Sequence, residues 1–288
     1  MNVLTVDYRA KGADERFAQS LHETGFAVIE NHPIPWDKIE QAYREWGAFF
    51  NDPIREKYTF DPATQDGYIS GALSETAKGE KQKDLKEFYH LYFPWGRYPK
   101  EISNNSRELF ELTLAFGKEL LGWIEQHLPE SIRKKLSMNL SDMVSIERTL
   151  YRILYYPPFK GNEPAGAIRA AAHEDINLIT VLPAASESGL QAKDKQGNWH
   201  TVKVDPKTLV INIGDMLQEA TDRYYISTTH RVINPEGAAA QKARMSMPMF
   251  IHPKADVKLS GRYPTAEGYL HERLVELGLR KGDAGVMA

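Results

Sequence analysis

Near residue 146 the hydrophobic pattern of the chain changes period, and this limits the fold more than any other feature. Upstream, apolar residues recur at helical spacing. Trp36, Ile39, Tyr43, Trp46 and Phe50 form one stripe, and Leu109, Leu112, Phe116, Leu120, Ile124 and Leu128 form another within 107–128. Ala13 to Thr24 reads as a helix stopped by Gly25, followed by a buried strand at Phe26–Ile29. Residues 61–84 are polar and read as an exposed excursion. Downstream, short strands are expected at 149–156, 169–182, 189–193, 199–204, 209–213, 229–233 and 245–251, with a turn at Gln196-Gly197-Asn198. A final helix is expected over 265–277. The expected division is a mostly helical region at 1–145 packing on the core, a β-rich core at 146–255, and a C-terminal helical segment at 256–288. The class is α+β by content, with a barrel, a sandwich or a closed jelly roll as the β solution.

Composition removes several kinds of chemistry. The 288 residues include no cysteine, which excludes disulfide frameworks, thiolate metal sites and thiol catalysis. Metal sites built from His and carboxylate stay open. A formal net charge of −3 gives no dominant basic field, so nucleic acid is not an expected partner. No apolar run approaches a membrane span, and the N-terminus carries no signal-peptide pattern. The expected location is therefore cytoplasmic, with no membrane partner.

Three short patterns carry candidate chemistry. His173 and Asp175 stand at i and i+2 in a strand-like segment, which turns both side chains to one face and Glu174 to the other. Two such ligands occupy adjacent corners of an octahedron, and a distant third completes the 2-His-1-carboxylate face that suits Fe(II). His230, in Ser227-Thr228-Thr229-His230-Arg231-Val232, lies on another expected strand and is the candidate third ligand. Arg244 and Ser246 also share a strand face, and a guanidinium fork beside a hydroxyl is a fitting grip for a carboxylate. Each pattern recurs by chance when taken alone.

Their order and context are more specific. The sequence runs His173-x-Asp175, Gly189-Leu190-Gln191, Asn212-Ile213-Gly214-Asp215, His230-Arg231-Val232-Ile233-Asn234-Pro235 and Arg244-x-Ser246-x-Pro248-x-Phe250. It resembles the isopenicillin N synthase-like family of Fe(II)/2-oxoglutarate-dependent dioxygenases. Leu21–Pro33 and Leu154–Pro158 resemble that family's N-terminal region and the strand before its metal site. The resemblance covers most of the chain and implies a double-stranded β-helix (jelly-roll, cupin-like) core with an N-terminal helical region and flanking helices. It implies iron ligation by His173, Asp175 and His230, and binding of the 2-oxoglutarate carboxylate by Arg244, Ser246 and Tyr156. It also implies O2 as co-substrate, and oxidation of a small molecule such as an amino acid or natural-product intermediate by hydroxylation, desaturation or cyclisation. Leu154 stands where the family often has Asn, and Gly237–Ala240 reads as a loop insertion. Asp175 separates the chain from halogenating variants that lack the carboxylate.

Alternation along 150–156 places Arg152 on the face of Tyr156. If Tyr156 points into the barrel, Arg152 is a candidate anchor for an anionic substrate, with Phe250 as an apolar wall. Ser131-Ile132-Arg133-Lys134 fits an acyl-enzyme spacing but lies in a charged helical segment without partner motifs. His22, His32, His90, His127, His200, His252 and His271 are expected to be ordinary surface or core histidines. Two other readings stand: an oxidase of the same fold that uses no 2-oxoglutarate, and a non-catalytic small-molecule sensor.

Overall fold

The computed structural model describes residues 1–71, 84–93, 95–159, 161, 169–185, 189–234 and 237–276. Thirteen strands are described: β1 (Thr5–Asp7), β2 (Phe26–Glu30), β3 (Gly67–Ile69), β4 (Glu87–Tyr92), β5 (Leu150–Tyr156), β6 (Ala170–His173), β7 (Ile179–Pro183), β8 (Leu190–Lys193), β9 (Trp199–Thr201), β10 (Leu209–Ile213), β11 (His230–Val232), β12 (Arg244–Ser246) and β13 (Met249–Ile251). The helices are α1 (Ala13–Thr24), α2 (Trp36–Asn51), α3 (Asn105–Gln126), α4 (Glu130–Arg133), α5 (Leu140–Met143), α6 (Asp215–Ala220) and α7 (Ala266–Glu276). No described helix is long and apolar enough to cross a membrane.

The strands form two facing sheets. The larger runs β1-β2-β10-β7-β13-β5-β4-β3, with β12 also paired to β5. The smaller runs β6-β11-β8-β9. Period-2 alternation gives the large sheet two buried faces. Tyr151, Ile153 and Tyr155 join the main core beneath α1, α2 and α3, while Leu154 and Tyr156 form a separate inner cluster with Phe88 and Ile69. Farther along the inner face, Phe26, Val28 and Val210 pack with Leu190 and Ala192 of the small sheet. This two-layer arrangement, with helices on the outside, is the expected jelly roll.

Several expected boundaries shift. Four strands of the first half, β1 to β4, belong to the large sheet: β2 pairs with β10 and β4 with β5. The first half is therefore built into the core sheet rather than only packed on it. Within the expected excursion, Gly67–Ile69 is a buried strand; residues 72–83 lie outside the described residues. The expected strand at 169–182 is two strands in different sheets, because the chain turns between His173 and Ile179. The expected strand at 245–251 breaks at Met247-Pro248, where the Pro248 carbonyl accepts from the Arg152 N–H. Gly237–Gln241 is one 3-10 turn, tied to the end of β5 by Phe159 N–H donating to the Ala240 carbonyl. Helix α7 is described over Ala266–Glu276, and Leu277, the last residue of the expected helix, lies outside the described residues.

Helix α1 ends on Gly25 at φ 73°, its N–H donating to the Leu21 carbonyl. A Cβ there would lie 2.2 Å from Thr228 Oγ1 and 2.7 Å from the Ile226 carbonyl oxygen. Gly25→Ala is therefore expected to destabilise the protein by about 1–3 kcal/mol, from the left-handed backbone plus the clash. Gly122, exposed on α3, gives the opposite sign, because a Cβ at that position would meet nothing within 4 Å. Gly122→Ala should add about 0.5–1 kcal/mol. Urea unfolding of both variants checks the pair.

Candidate metal centre

His173 closes β6 and His230 opens β11, and the two residues face each other across the antiparallel pair. Their rings lie 4.4 Å apart between centroids. Asp175 stands beyond the end of β6, not within it, and reaches back so that its Oδ1 is 3.7 Å from Nε2 of each histidine. The three donor atoms lie within 4.8 Å of one another. His173 Nδ1 pairs with the Ala171 carbonyl at 2.8 Å and His230 Nδ1 with the Thr228 carbonyl at 3.1 Å. A carbonyl only accepts, so both Nδ1 atoms carry the proton and both Nε2 lone pairs face Asp175. Two imidazole nitrogens and one carboxylate oxygen, converging with their lone pairs inward, fit a divalent transition metal.

The second oxygen of Asp175 has its own partners. Oδ2 accepts from Thr180 Oγ1 at 2.5 Å and from Asn212 Nδ2 at 2.8 Å. Thr180 Oγ1 in turn accepts from Asn177 Nδ2 at 3.0 Å, which fixes the hydroxyl proton on the Asp175 side. Burial opposes ionisation of Asp175, but positive charge on a neighbouring imidazole and, whatever the charge of the rings, the two donors on Oδ2 favour the carboxylate and hold it below its ordinary range. Although 42% of the His173 side chain is open to solvent, the surrounding protein and the His230 ring push its pKa down to about 4. A neutral His173 imidazole beside an ionised Asp175 is the protonation state in which these groups ligate a metal. Gly214 lets the backbone close on this network. A Cβ there would sit 2.1 Å from the Asn177 carbonyl oxygen.

The remaining expected site residues share the inner face of the large sheet. Arg244 is opposite Tyr156 and Ser246 opposite Leu154 in the β12–β5 register, and Arg244 and Ser246 are both buried. The Arg244 guanidinium lies 5.0 Å over the Tyr156 ring. Arg152 lies between two rings, 4.9 Å from Phe88 and 5.4 Å from Phe250, and its Nε donates to His90 Nε2 at 2.9 Å. Phe250 is opposite Thr180 across the β13–β7 pair, which sets the Arg152 wall beside the Asp175 network.

Sequence reasoning misses several participants. Asn177 and Thr180 carry no spacing signal, although two polar residues inside the apolar run 176–182 must be satisfied once buried. His90 and His252 are expected from sequence to have no part in a site, yet His90 holds Arg152. His252 has Arg148, Asp175 and Arg152 as its charged neighbours. Arg169 is fully buried, with its guanidinium 5.7 Å over the Tyr156 ring on which Arg244 also lies. Asp84 and Lys86 form a buried ion pair at 2.7 Å, and Asp84 Oδ1 accepts from the Ala171 N–H two residues before His173.

A jelly roll that carries a 2-His-1-carboxylate face, open to solvent at His173, defines a class, the mononuclear non-haem metal oxygenases. Comparison with known proteins narrows the class. Residues 148–253 match the 2OG-Fe(II) oxygenase superfamily, and residues 9–114 match the N-terminal region of non-haem dioxygenases in morphine synthesis. A Shewanella oneidensis protein assigned as an oxygenase is 50% identical. The match covers 97% of this chain and 100% of that one, with a TM-score of 0.88. A Caulobacter crescentus protein assigned to the 2OG-Fe(II) oxygenase family is 31% identical over 96% and 99% of the two chains, with a TM-score of 0.79. Jasmonate-induced oxygenase 2 of Arabidopsis thaliana is 28% identical over 85% of this chain, and the match spans 66% of its length. The chain belongs to the 2OG-Fe(II) oxygenase superfamily, whose cofactors are iron(II) and 2-oxoglutarate.

Thr180→Val removes the donor to Asp175 at nearly constant volume. Iron(II) affinity should fall about 10–100-fold, with the far-ultraviolet circular dichroism unchanged. Thr180→Ser keeps the hydroxyl and should retain most of the affinity. Equal affinity in the valine variant would show that Asp175 needs no support from this group.

Proposed function

We propose that this protein oxidises a small-molecule substrate with iron(II), 2-oxoglutarate and O2. The observation that carries the reading is the joint presence of the convergent donors His173, Asp175 and His230, where the small sheet meets the large one, and of the buried Arg244–Ser246 pair on the large sheet. His173, Asp175 and His230 would hold the metal by three positions and leave the rest of its coordination sphere to the co-substrates. Arg244, with Ser246 and the ring of Tyr156 beside it, would hold the distal carboxylate of 2-oxoglutarate. When bound, iron(II) would let O2 act as the oxidant: two of the four electrons O2 takes up would come from 2-oxoglutarate, which leaves as succinate and CO2, and the other two from the substrate as it loses hydrogen.

The protein's own contribution is orientation and exclusion of water. The Nδ1–carbonyl bonds keep both imidazoles from turning, and Thr180 and Asn212 keep one oxygen of Asp175 directed at the metal position. Phe26 packs edge-on to His230, with 5.6 Å between ring centroids, and shields it on the protein side. His173, the more open ligand, marks the side from which substrate approaches. Hydroxylation, desaturation and cyclisation all begin with the same hydrogen removal and differ in what the substrate does next.

His230→Ala is expected to abolish turnover and greatly weaken iron(II) binding while the protein still folds. Iron binding equal to that of the parent protein would remove the triad from the reading. Arg244→Ala should cost about 2–5 kcal/mol of 2-oxoglutarate affinity, seen as a raised apparent constant for that co-substrate. Arg244→Lys should restore little of it, because an ammonium lacks the planar fork. Formation of succinate from 2-oxoglutarate tests the whole proposal. Oxygen uptake without succinate would mark an oxidase of the same fold, and neither process across a broad metabolite panel would mark a sensor.

A further inference from the structure

The ligand strand β6 is irregular at the place that aims His173. Across the β6–β11 pair His173 faces His230 and Ala170 faces Val232. The step is three residues on β6 and two on β11, so β6 carries one extra residue between these points. A bulge of this kind bends its strand, interrupts the ladder and re-aims the side chains around it. Ala171 lies inside the bulge and holds the imidazole: its carbonyl accepts from His173 Nδ1 at 2.8 Å. Its N–H donates in turn to Asp84 Oδ1 at 3.0 Å, across a separation of 87 residues in the chain. The residue that orients the imidazole is thus itself anchored by a buried carboxylate.

Asp84 precedes β4 of the large sheet, while β6 is the end strand of the small sheet. The Asp84–Ala171 bond therefore ties the two sheets together on the His173 side. Both Asp84 oxygens are used, Oδ1 by Ala171 and Oδ2 by Lys86 Nζ at 2.7 Å. The Lys86 N–H also donates to the Asp84 carbonyl at 2.9 Å, which closes a three-residue turn and brings the two side chains together. Both side chains are buried. A buried ion pair adds little net stability compared with apolar side chains of similar size, because desolvation offsets the attraction. What it supplies here is an acceptor fixed in place and direction. His173 has the greatest need of one. Its side chain is 42% exposed, against 10% for His230 and 4% for Asp175, so packing restricts it least.

We propose that Asp84 is a positioning residue for the metal centre: it holds the β6 bulge at Ala171 and so sets the direction in which His173 Nε2 meets the metal, with Lys86 holding Asp84 in turn. The proposal rests on the metal-dependent reading above and gives its most exposed ligand an outer partner. Outer partners of this kind fix the orientation of a ligating ring, and with it the affinity of the site. Asp84 thereby does for His173 what Thr180 and Asn212 do for Asp175, one residue removed.

Two double variants share the loss of Lys86 and differ only at the acceptor. Asp84→Asn with Lys86→Met keeps an oxygen for the Ala171 N–H, whereas Asp84→Leu with Lys86→Met removes it and fills the space. Iron(II) affinity is measured by anaerobic titration, and ligand geometry by the visible absorption of the Co(II)-loaded protein. The asparagine pair should keep most of the parent affinity and the parent Co(II) spectrum. The leucine pair should bind iron(II) about 10–100-fold more weakly, the loss expected when an outer partner of a ligand is removed, with displaced Co(II) bands. Asp84→Ala with Lys86→Met should repeat the loss if the leucine pair does not fold. Urea unfolding separates positioning from support, because a merely structural group would lower the midpoint and leave the Co(II) bands of the folded protein in place. Equal iron(II) affinity and equal spectra in the asparagine and leucine pairs overturn the inference. So does failure of both acceptor-less pairs to fold beside a folded asparagine pair, which would make the bond a support of the sheets only. Iron(II) binding by His230→Ala equal to that of the parent would overturn the triad itself. A loss in His230→Ala without one in the leucine pair would overturn this inference alone.

Discussion

The site depends on keeping a buried carboxylate ionised and aimed. Asp175 lies almost without solvent contact, where an unpaired charge is costly, and two protein donors on Oδ2 offset that cost while leaving Oδ1 for the metal position. Those donors come from different strands, Thr180 from β7 and Asn212 from β10, which pair with each other at these two residues. The large sheet therefore sets the direction of the carboxylate. The small sheet sets the two imidazoles through the His173–His230 cross-strand pair. The donor cluster exists only where the two layers meet.

This meeting also explains the division of labour on the inner face. Toward β2, β8 and β10 the lining is apolar, with Phe26, Val28, Val210 and Leu190, and it closes the barrel by hydrophobic contact. Toward β4, β5 and β12 the lining carries Lys86, Arg152 and Arg244, each with an aromatic ring within 6 Å. Rings in these positions stabilise cations at little desolvation cost, and Lys86 is in addition paired with Asp84. One strand, β5, serves both layers of the design. Its odd-numbered residues fill the helix-covered core and its even-numbered residues, Leu154 and Tyr156 among them, face the inner side of the sheet.

Much of this is legible in the sequence, and the failures have physical causes. Helix α1 and strand β10 fall on their expected residues, because a capping glycine and a clean apolar run mark their ends. The candidate ligands His173, Asp175 and His230 come together, with their donor atoms within 4.8 Å of one another. Strand β4 escapes notice because both its faces are buried, so Glu87–Tyr92 shows no polar–apolar alternation. The stretch 169–182 reads as one strand because no glycine or proline punctuates the turn between His173 and Ile179. The Asp175 donors are invisible for a different reason: a single Asn or Thr has no periodicity, and only the three-dimensional pairing of β7 with β10 gives them a role. The histidines at 90 and 252 look ordinary because their partners are distant in sequence, 62 residues away in the case of His90 and Arg152.

Thr228, two residues before His230, donates its hydroxyl to the Thr24 carbonyl at the end of α1, and Gly25 packs directly on it. The first helix and the ligand strand are thus clasped over a separation of 204 residues. Chimaeras that exchange the first half between relatives would break this clasp along with the β2–β10 and β4–β5 seams, so recombination near residue 146 divides the metal centre from its own scaffold. Crossovers that keep 13–30 together with 209–232 preserve it, and the natural unit of exchange in this chain is a set of spatial neighbours rather than a stretch of sequence.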